Sequence, residues 1–122
     1  MGKQWLVIAV IFLLPSESQA FTVTSYKNIQ EAAQNDQYLT DVLDAYHQGI
    51  SETVASVLYA PPKNKFWLNK NVGICLSAEV VTSSLIEKAI SNTLPQGTSS
   101  GIGGDSVVLH ALIGLSAMAP CN

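Results

Sequence analysis

The side chains that could support chemistry in this sequence are two cysteines and two histidines. Cys75 with a histidine would suggest a thiol hydrolase, in which the imidazole removes the proton of the nucleophilic thiol. A zinc site would need three or four His, Cys or acidic ligands at short spacing, and His47 alone does not supply them. His110 stands in a strongly apolar segment, where a packed or interfacial histidine is expected. The sequence therefore predicts no metal site.

A glycine-rich segment, Pro95–Asp105 (PQGTSSGIGGD), is the other candidate, and it holds four of the eight glycines. A phosphate-binding P-loop requires Lys and then Ser or Thr after its last glycine, whereas Gly104 is followed by Asp105. A dinucleotide fingerprint requires a third glycine three places after Gly103, where Ser106 stands, and also a preceding strand. Both motifs fail, so we expect no nucleotide and no other cofactor.

Two interpretations of this segment remain. Its single large side chain is Ile102, which stands between Gly101 and Gly103. Glycine allows positive φ and close approach of another surface, so one apolar side chain among small ones could enter a narrow cleft of a partner. Glycine and serine are also the usual filler of flexible linkers. Composition alone leaves both interpretations open.

The N-terminus has the features of a secretory signal peptide. Lys3 precedes an apolar run, Trp5–Leu14, and Ser18 and Ala20 form a small-x-small cleavage site. The ten-residue run is shorter than the roughly 20 residues that span a bilayer, and no cysteine follows it that could carry a lipid. We expect removal of residues 1–20, and an exported single domain over residues 21–122 that is not attached to the membrane.

Export determines how the cysteines are interpreted. In an oxidising compartment two cysteines in a small chain most simply form one disulfide, which predicts a Cys75–Cys121 bond. A closed loop of roughly 45 residues stabilises the fold by about 4 kcal/mol in the chain-entropy model. The same bond removes the thiolate that a thiol hydrolase would need, so we expect no enzymatic activity.

The charge composition argues against a nucleic-acid partner. All six basic residues are lysines, and nine acidic residues give a net charge of −3. Nucleic-acid binding requires clustered cations that displace counterions from the phosphates, and this chain has no arginine.

Apolar periodicity predicts four helices and no regular strand. The clearest is Asp36–Tyr59, which carries one broad apolar stripe and ends before Pro61. Gly49 in its interior costs about 1 kcal/mol relative to alanine and would mark close packing or a bend. The other predicted helices run from Thr24 or Ser25 to Gln34, over Ala78–Thr93 with Ser77 as cap, and over Val107–Met118 with Asp105 or Ser106 as cap.

The fold class follows from these helices. Val107–Met118 is apolar nearly all round, which places it at the centre of the fold or in an interface. In the connector Pro61–Ile74, Phe66 and Trp67 stand between lysines. The two rings could form a stacking platform for a ligand or a lid on the core. We expect an all-α, compact bundle of about four helices with one disulfide.

Several residues in this order resemble a known family. They are the Gly73-Ile74-Cys75 entry, Val81-Thr82 within Ser77–Ile90, Ala111-Leu112 in the last helix, and the Ala119-Pro120-Cys121 end. Together with the leader and the long amphipathic helix, they resemble the type VI secretion amidase immunity proteins. The likeness is closest to the fourth family and covers most of residues 36–122.

The resemblance implies a periplasmic, helical, often dimeric protein that protects a Gram-negative cell from a papain-like cysteine peptidoglycan amidase injected by sibling cells. In that family a loop before the last helix enters the catalytic cleft. The matching partner-binding residues would be Thr98, Ser99, Ser100, Gly101, Ile102, Gly103, Gly104 and Asp105. A small, single-disulfide periplasmic acid-stress chaperone is the alternative.

Overall fold

The structure is a computed structural model that describes residues 21–94 and 106–122. Within those ranges the all-α prediction is confirmed. The helices are α1 (Val23–Ala33), α2 (Gln37–Tyr59), α3 (Ser83–Thr93) and α4 (Val107–Met118), with a short 3₁₀ helix at Ala78–Val80 and two strands, β1 (Lys65–Trp67) and β2 (Gly73–Cys75). The predicted leader, residues 1–20, lies outside the described residues.

Side-chain caps fix where the first two helices begin. The Asp36 carboxylate accepts a hydrogen bond from the Tyr38 amide at 2.9 Å, so Asp36 is the cap and α2 begins one residue after the predicted start. The cap of α1 is Thr22, whose hydroxyl accepts from the Ser25 amide at 3.2 Å. The prediction of Thr24 or Ser25 was therefore wrong by two or three residues, because any hydroxyl in this Thr- and Ser-rich start can serve as a cap.

The predicted helix Ala78–Thr93 is interrupted. Ser77 makes no side-chain cap, and Ala78–Val80 forms only a 3₁₀ turn before Val81 takes an extended conformation. Thr82 then caps α3, with its hydroxyl 3.2 Å from the Leu85 amide. Three consecutive β-branched residues disfavour a continuous helix, and the threonine supplies a new N-terminus.

The expectation of no strand was also wrong. β1 and β2 form an antiparallel hairpin with Lys65 opposite Cys75, Phe66 opposite Ile74 and Trp67 opposite Gly73. Strands of three residues are too short to show a polar–apolar alternation in sequence. The hairpin turn is held by the Asn69 side chain, which accepts bonds from two backbone amides at 2.8 Å each.

α4 is the central packing element. Val107, Ala111 and Leu115 on its inner face are fully buried, and α3 contributes Ile86, Ala89 and Ile90, which are also fully buried. The outer face of α4 remains exposed, including Leu109 at 46% and Ile113 at 42%. α4 therefore belongs to the core on one side and presents an apolar surface on the other.

The predicted disulfide is present. Cys75 and Cys121 are bonded with their Cα atoms 5.0 Å apart, across a sequence separation of 46 residues. The Cys75 amide donates to the Ala119 carbonyl at 2.8 Å, so the chain that leaves α4 runs along β2. The bond thus anchors the end of α4 to the hairpin. None of the helices in the described ranges has the length and apolarity needed to cross a membrane.

Candidate functional site

The predicted partner-binding residues, Thr98 to Asp105, lie outside the described residues, but the end of α3 before them is described. The Leu94 amide donates to the Ile90 carbonyl at 3.1 Å and closes α3. The Thr93 hydroxyl lies 2.9 Å from the Ile90 carbonyl and 3.2 Å from the His110 carbonyl on α4. The last turn of α3 is therefore attached to α4 as well as to its own helix.

The chain that follows the segment is anchored at a different place. Ser106 forms an isolated β-bridge with Thr22, and the Val107 amide donates to the Phe21 carbonyl at 2.9 Å. Ser106 occupies the cap position of α4, as predicted, but its side chain makes no capping bond. The N-terminal chain therefore holds the entry to α4, a role that no local sequence signal indicated.

Phe21 also begins an aromatic cluster that joins α1 and α2. Its ring packs edge-on against Tyr46, with centroids 4.6 Å apart. The Tyr26 hydroxyl and His47 Nε2 are 2.6 Å apart, and Tyr26 and His47 are 0% and 3% exposed. Sequence reasoning missed this pair, because Tyr26 and His47 belong to different helices and are 21 residues apart.

Burial controls the ionisation of this cluster. Desolvation lowers the pKa of His47, and the charges of Glu87 and Asp44 oppose that shift only in part. Desolvation raises the pKa of Tyr26, and the nearby Glu87 charge raises it further. Both side chains are therefore neutral at pH 7, and in the tautomer that carries its proton on Nδ1, His47 accepts a hydrogen bond at Nε2 from the Tyr26 hydroxyl.

An apolar groove lies between α2 and α4 and encloses about 570 Å³. Its α2 side includes Tyr46, Gly49, Val54 and Val57, Val108 and Leu112 are on the α4 side, and Phe66 of β1 also lines it. None of the eleven lining residues is charged. We call this surface the α2–α4 groove.

Gly49 lines the α2 side of the groove and contributes no side chain to it. A Cβ built at Gly49 has nothing within 4 Å in the described part of the chain, so the glycine leaves open space there. The close-packing interpretation of Gly49 is therefore not supported. The sequence signal that could have revealed the groove is a helix-interior glycine beside an apolar stripe, together with a last helix that has more apolar faces than one core can bury.

The connector aromatics have separate positions. Phe66 is half-buried and packs against the core, as the lid interpretation predicted. Trp67 is 46% exposed and lies across Gly73, where an added Cβ would come within 2.7 Å of the indole ring. Of the two rings that the stacking-platform interpretation would use, only that of Trp67 is exposed.

The remaining chemical candidates do not come together. Both cysteines are in the disulfide, and His110 is buried on α4 at 8% exposure. Within residues 21–94 and 106–122, no three His, Cys, Asp or Glu side chains form a group that could hold a metal ion. What the described residues offer is a fixed framework around a glycine-rich segment and one apolar groove.

Comparison of the chain with protein-family models, with curated proteins and with solved structures finds no match. Conclusions about function therefore rest on the geometry of the described residues and on the sequence motifs.

Proposed function

We propose that the exported chain is a periplasmic immunity protein that binds and inhibits a papain-like peptidoglycan amidase, and that Thr98–Asp105 enter the amidase cleft. The observation that carries this proposal is the anchoring on both sides of the segment. Leu94 ends a helix attached to α4, and Ser106 is bridged to Thr22. Between these two points the chain has eleven residues with one large apolar side chain, Ile102.

Anchored ends favour inhibition by occlusion. A loop loses conformational entropy when it is ordered in a cleft, and fixed ends reduce the number of conformations it has to lose. Small side chains let the backbone approach the cleft walls, where a peptide substrate would lie. The Cys75–Cys121 bond further stiffens the framework by holding the far end of α4.

The dimer expected from the resemblance has a candidate surface. Leu109 and Ile113, on the outer face of α4, are exposed by 46% and 42%, and Val108 beside them is 40% exposed. A single exposed leucine is ordinary, but three large apolar side chains within two turns of one helix favour burial by a second subunit. We include a homodimer through this face in the proposal.

A loop deletion tests the proposed inhibition. Residues Ser99–Gly104 are removed and the gap is closed with two residues, and the protein is added to a small secreted Cys-His amidase encoded by a neighbouring gene. Helical content and the disulfide should be unchanged, because the flanking elements are held by the Thr93–His110 bond, the Thr22–Ser106 bridge and the disulfide, while inhibition of peptidoglycan hydrolysis should be lost. A folded deletion protein that inhibits at wild-type concentrations would contradict the proposed contact.

The acid-stress chaperone stays as a second candidate because of one observation. His47 is 3% exposed and bonded to the buried Tyr26 hydroxyl, so its protonation would put a charge at the α1–α2 contact. A chaperone of this kind would suppress the aggregation of acid-denatured client proteins below pH 5 and would leave the amidase uninhibited. An immunity protein would inhibit the amidase and would not suppress the aggregation of acid-denatured client proteins.

A further inference from the structure

The α2–α4 groove is not used by the proposed loop contact, and its chemistry limits what can occupy it. All eleven lining residues are uncharged, and only Tyr46 and Thr53 carry polar groups. The Tyr46 hydroxyl is buried and has no hydrogen-bond partner in the described part of the chain. An occupant without charge is therefore favoured, because a charged group would lose its hydration there and find no counter-charge.

The N-terminal chain enters the described structure beside this groove. The Phe21 ring packs on Tyr46 with centroids 4.6 Å apart, and Tyr46 lines the groove. The twenty residues before Phe21 include Trp5–Leu14, an uncharged run of ten apolar residues. An uncharged run of ten apolar residues is thus covalently joined to the chain at the edge of an apolar groove.

We propose that, in the chain that still carries residues 1–20, the Trp5–Leu14 segment occupies the α2–α4 groove. Removal of the leader would then uncover the groove and make it available only in the exported protein. This proposal is independent of amidase inhibition, because it concerns another surface and another form of the chain.

The connection is long enough for this placement. The seven steps from Leu14 to Phe21 reach about 24 Å when extended. The α2 wall of the groove, from Ala45 to Leu58, is about 20 Å long at 1.5 Å per residue. A helical Trp5–Leu14 segment would be about 15 Å long and would fit along this wall.

Covalent attachment favours this occupant over a second copy of the chain. A short linker gives the tethered segment an effective concentration in the millimolar range, far above the micromolar concentration of a separate subunit. An apolar contact of modest strength is then enough to keep the groove filled. The second copy gains access when the tethered segment is removed.

Fluorescence of Trp5 tests the placement directly. The chain has two tryptophans, so Trp67→Phe leaves Trp5 as the only reporter, and Trp67 does not line the groove. The full chain is produced uncleaved under oxidising conditions. We expect blue-shifted Trp5 emission and acrylamide quenching at least threefold weaker than in the urea-unfolded chain. Both should stay constant over a hundredfold dilution, because the contact is intramolecular.

Gly49→Phe in the same background fills the groove and should restore strong quenching of Trp5. Gln48→Phe is the matched control, since Gln48 is the exposed neighbour on α2 and does not line the groove. Ile8→Asp should expose Trp5 without any change in the described domain, which keeps the test valid if Gly49→Phe does not fold.

Three results would overturn the proposal. Quenching as strong as in the unfolded chain would show that Trp5 is not covered. Protection that is lost on dilution would assign the groove to a second copy. Protection that survives both Gly49→Phe and Ile8→Asp would place Trp5 elsewhere.

Discussion

Gly114 on α4 lies directly against the carbonyl group of Ala89 on α3. A Cβ built at Gly114 would come within 2.6 Å of the Ala89 carbonyl carbon, closer than real Cβ contacts allow. The missing side chain lets the two helices approach closely, and Ile86 and Ile90 on α3 and Ala111 and Leu115 on α4 are all fully buried. The same contact sets the spacing of the two helices that precede and follow the glycine-rich segment.

Gly114→Ala should therefore destabilise the fold. The added methyl group meets backbone that cannot move without separating α3 from α4, and overpacking of this kind costs about 1–3 kcal/mol. Gly49→Ala is the matched control, because its Cβ enters open space and a helix-interior alanine is favoured over glycine by about 1 kcal/mol. Urea unfolding should show opposite shifts of the midpoint. Equal midpoints for wild type and Gly114→Ala would contradict the close contact.

Loss of the disulfide should be costly. Thiol titration of the denatured, unreduced protein should find no free thiol, because both cysteines are bonded. Cys75→Ser should lower the free energy of unfolding by about 2–5 kcal/mol, the range measured for native disulfides in small secreted domains. The expected result also includes fraying at Ala119, whose carbonyl accepts from the residue 75 amide. Two reactive thiols per chain would contradict this prediction.

Stability should fall on acidification through the titration of His47. Its pKa is lowered in the folded state by burial, so between that pKa and the unfolded value near 6.5 the unfolded chain binds more protons. The free energy of unfolding therefore decreases as the pH drops below about 7, and the loss levels off below the folded-state pKa.

His47→Gln provides the control for that titration, since the amide can still bond to the Tyr26 hydroxyl but does not titrate. Urea midpoints measured every half unit from pH 5 to pH 7.5 should slope for wild type and stay nearly flat for the variant. A wild-type slope that the variant retains in full would assign the pH dependence to other groups.

Self-association should depend on the outer face of α4. Sedimentation at micromolar concentration should give twice the mass of the leader-free chain, and Leu109→Asp with Ile113→Asp should give a monomer, because two charges would be buried in the interface. Tyr38→Asp is the control, because Tyr38 is a 73% exposed aromatic residue on α2. A strict monomer at high wild-type concentration would refute the dimer.

Gly103 should be critical for inhibition and dispensable for folding. Gly103→Tyr adds a bulky side chain to the proposed inserted segment, where it would clash with the cleft walls, so the apparent affinity for the amidase should fall at least tenfold. Gln48→Tyr adds the same side chain on the exposed face of α2 and should leave inhibition unchanged. The measurement is the titration of peptidoglycan hydrolysis, with circular dichroism as the check on folding. Unchanged inhibition by Gly103→Tyr would argue for a contact elsewhere.

Short-range patterns were sufficient for much of the fold. The predicted helix Asp36–Tyr59, which ends before Pro61, agrees with α2 to within one residue, and Val107–Met118 is a helix over its whole predicted range. The disulfide was predicted from the expected export and from the presence of two cysteines. The helix limits depend on residues within one or two turns of each other, and the disulfide depends on the number of cysteines. Both can therefore be predicted from the sequence alone.

Tertiary structure decided the features that join distant residues. The Trp67–Gly73 pairing, the Tyr26–His47 bond and the α2–α4 groove all depend on which elements meet in space. The sequence of α2 shows the same apolar stripe whether or not other elements of the fold cover those residues. Only the path of the chain through Phe21 and α4 decided that the side of α2 around Gly49 stays uncovered in the described domain, because burial is a property of the neighbours that folding brings together.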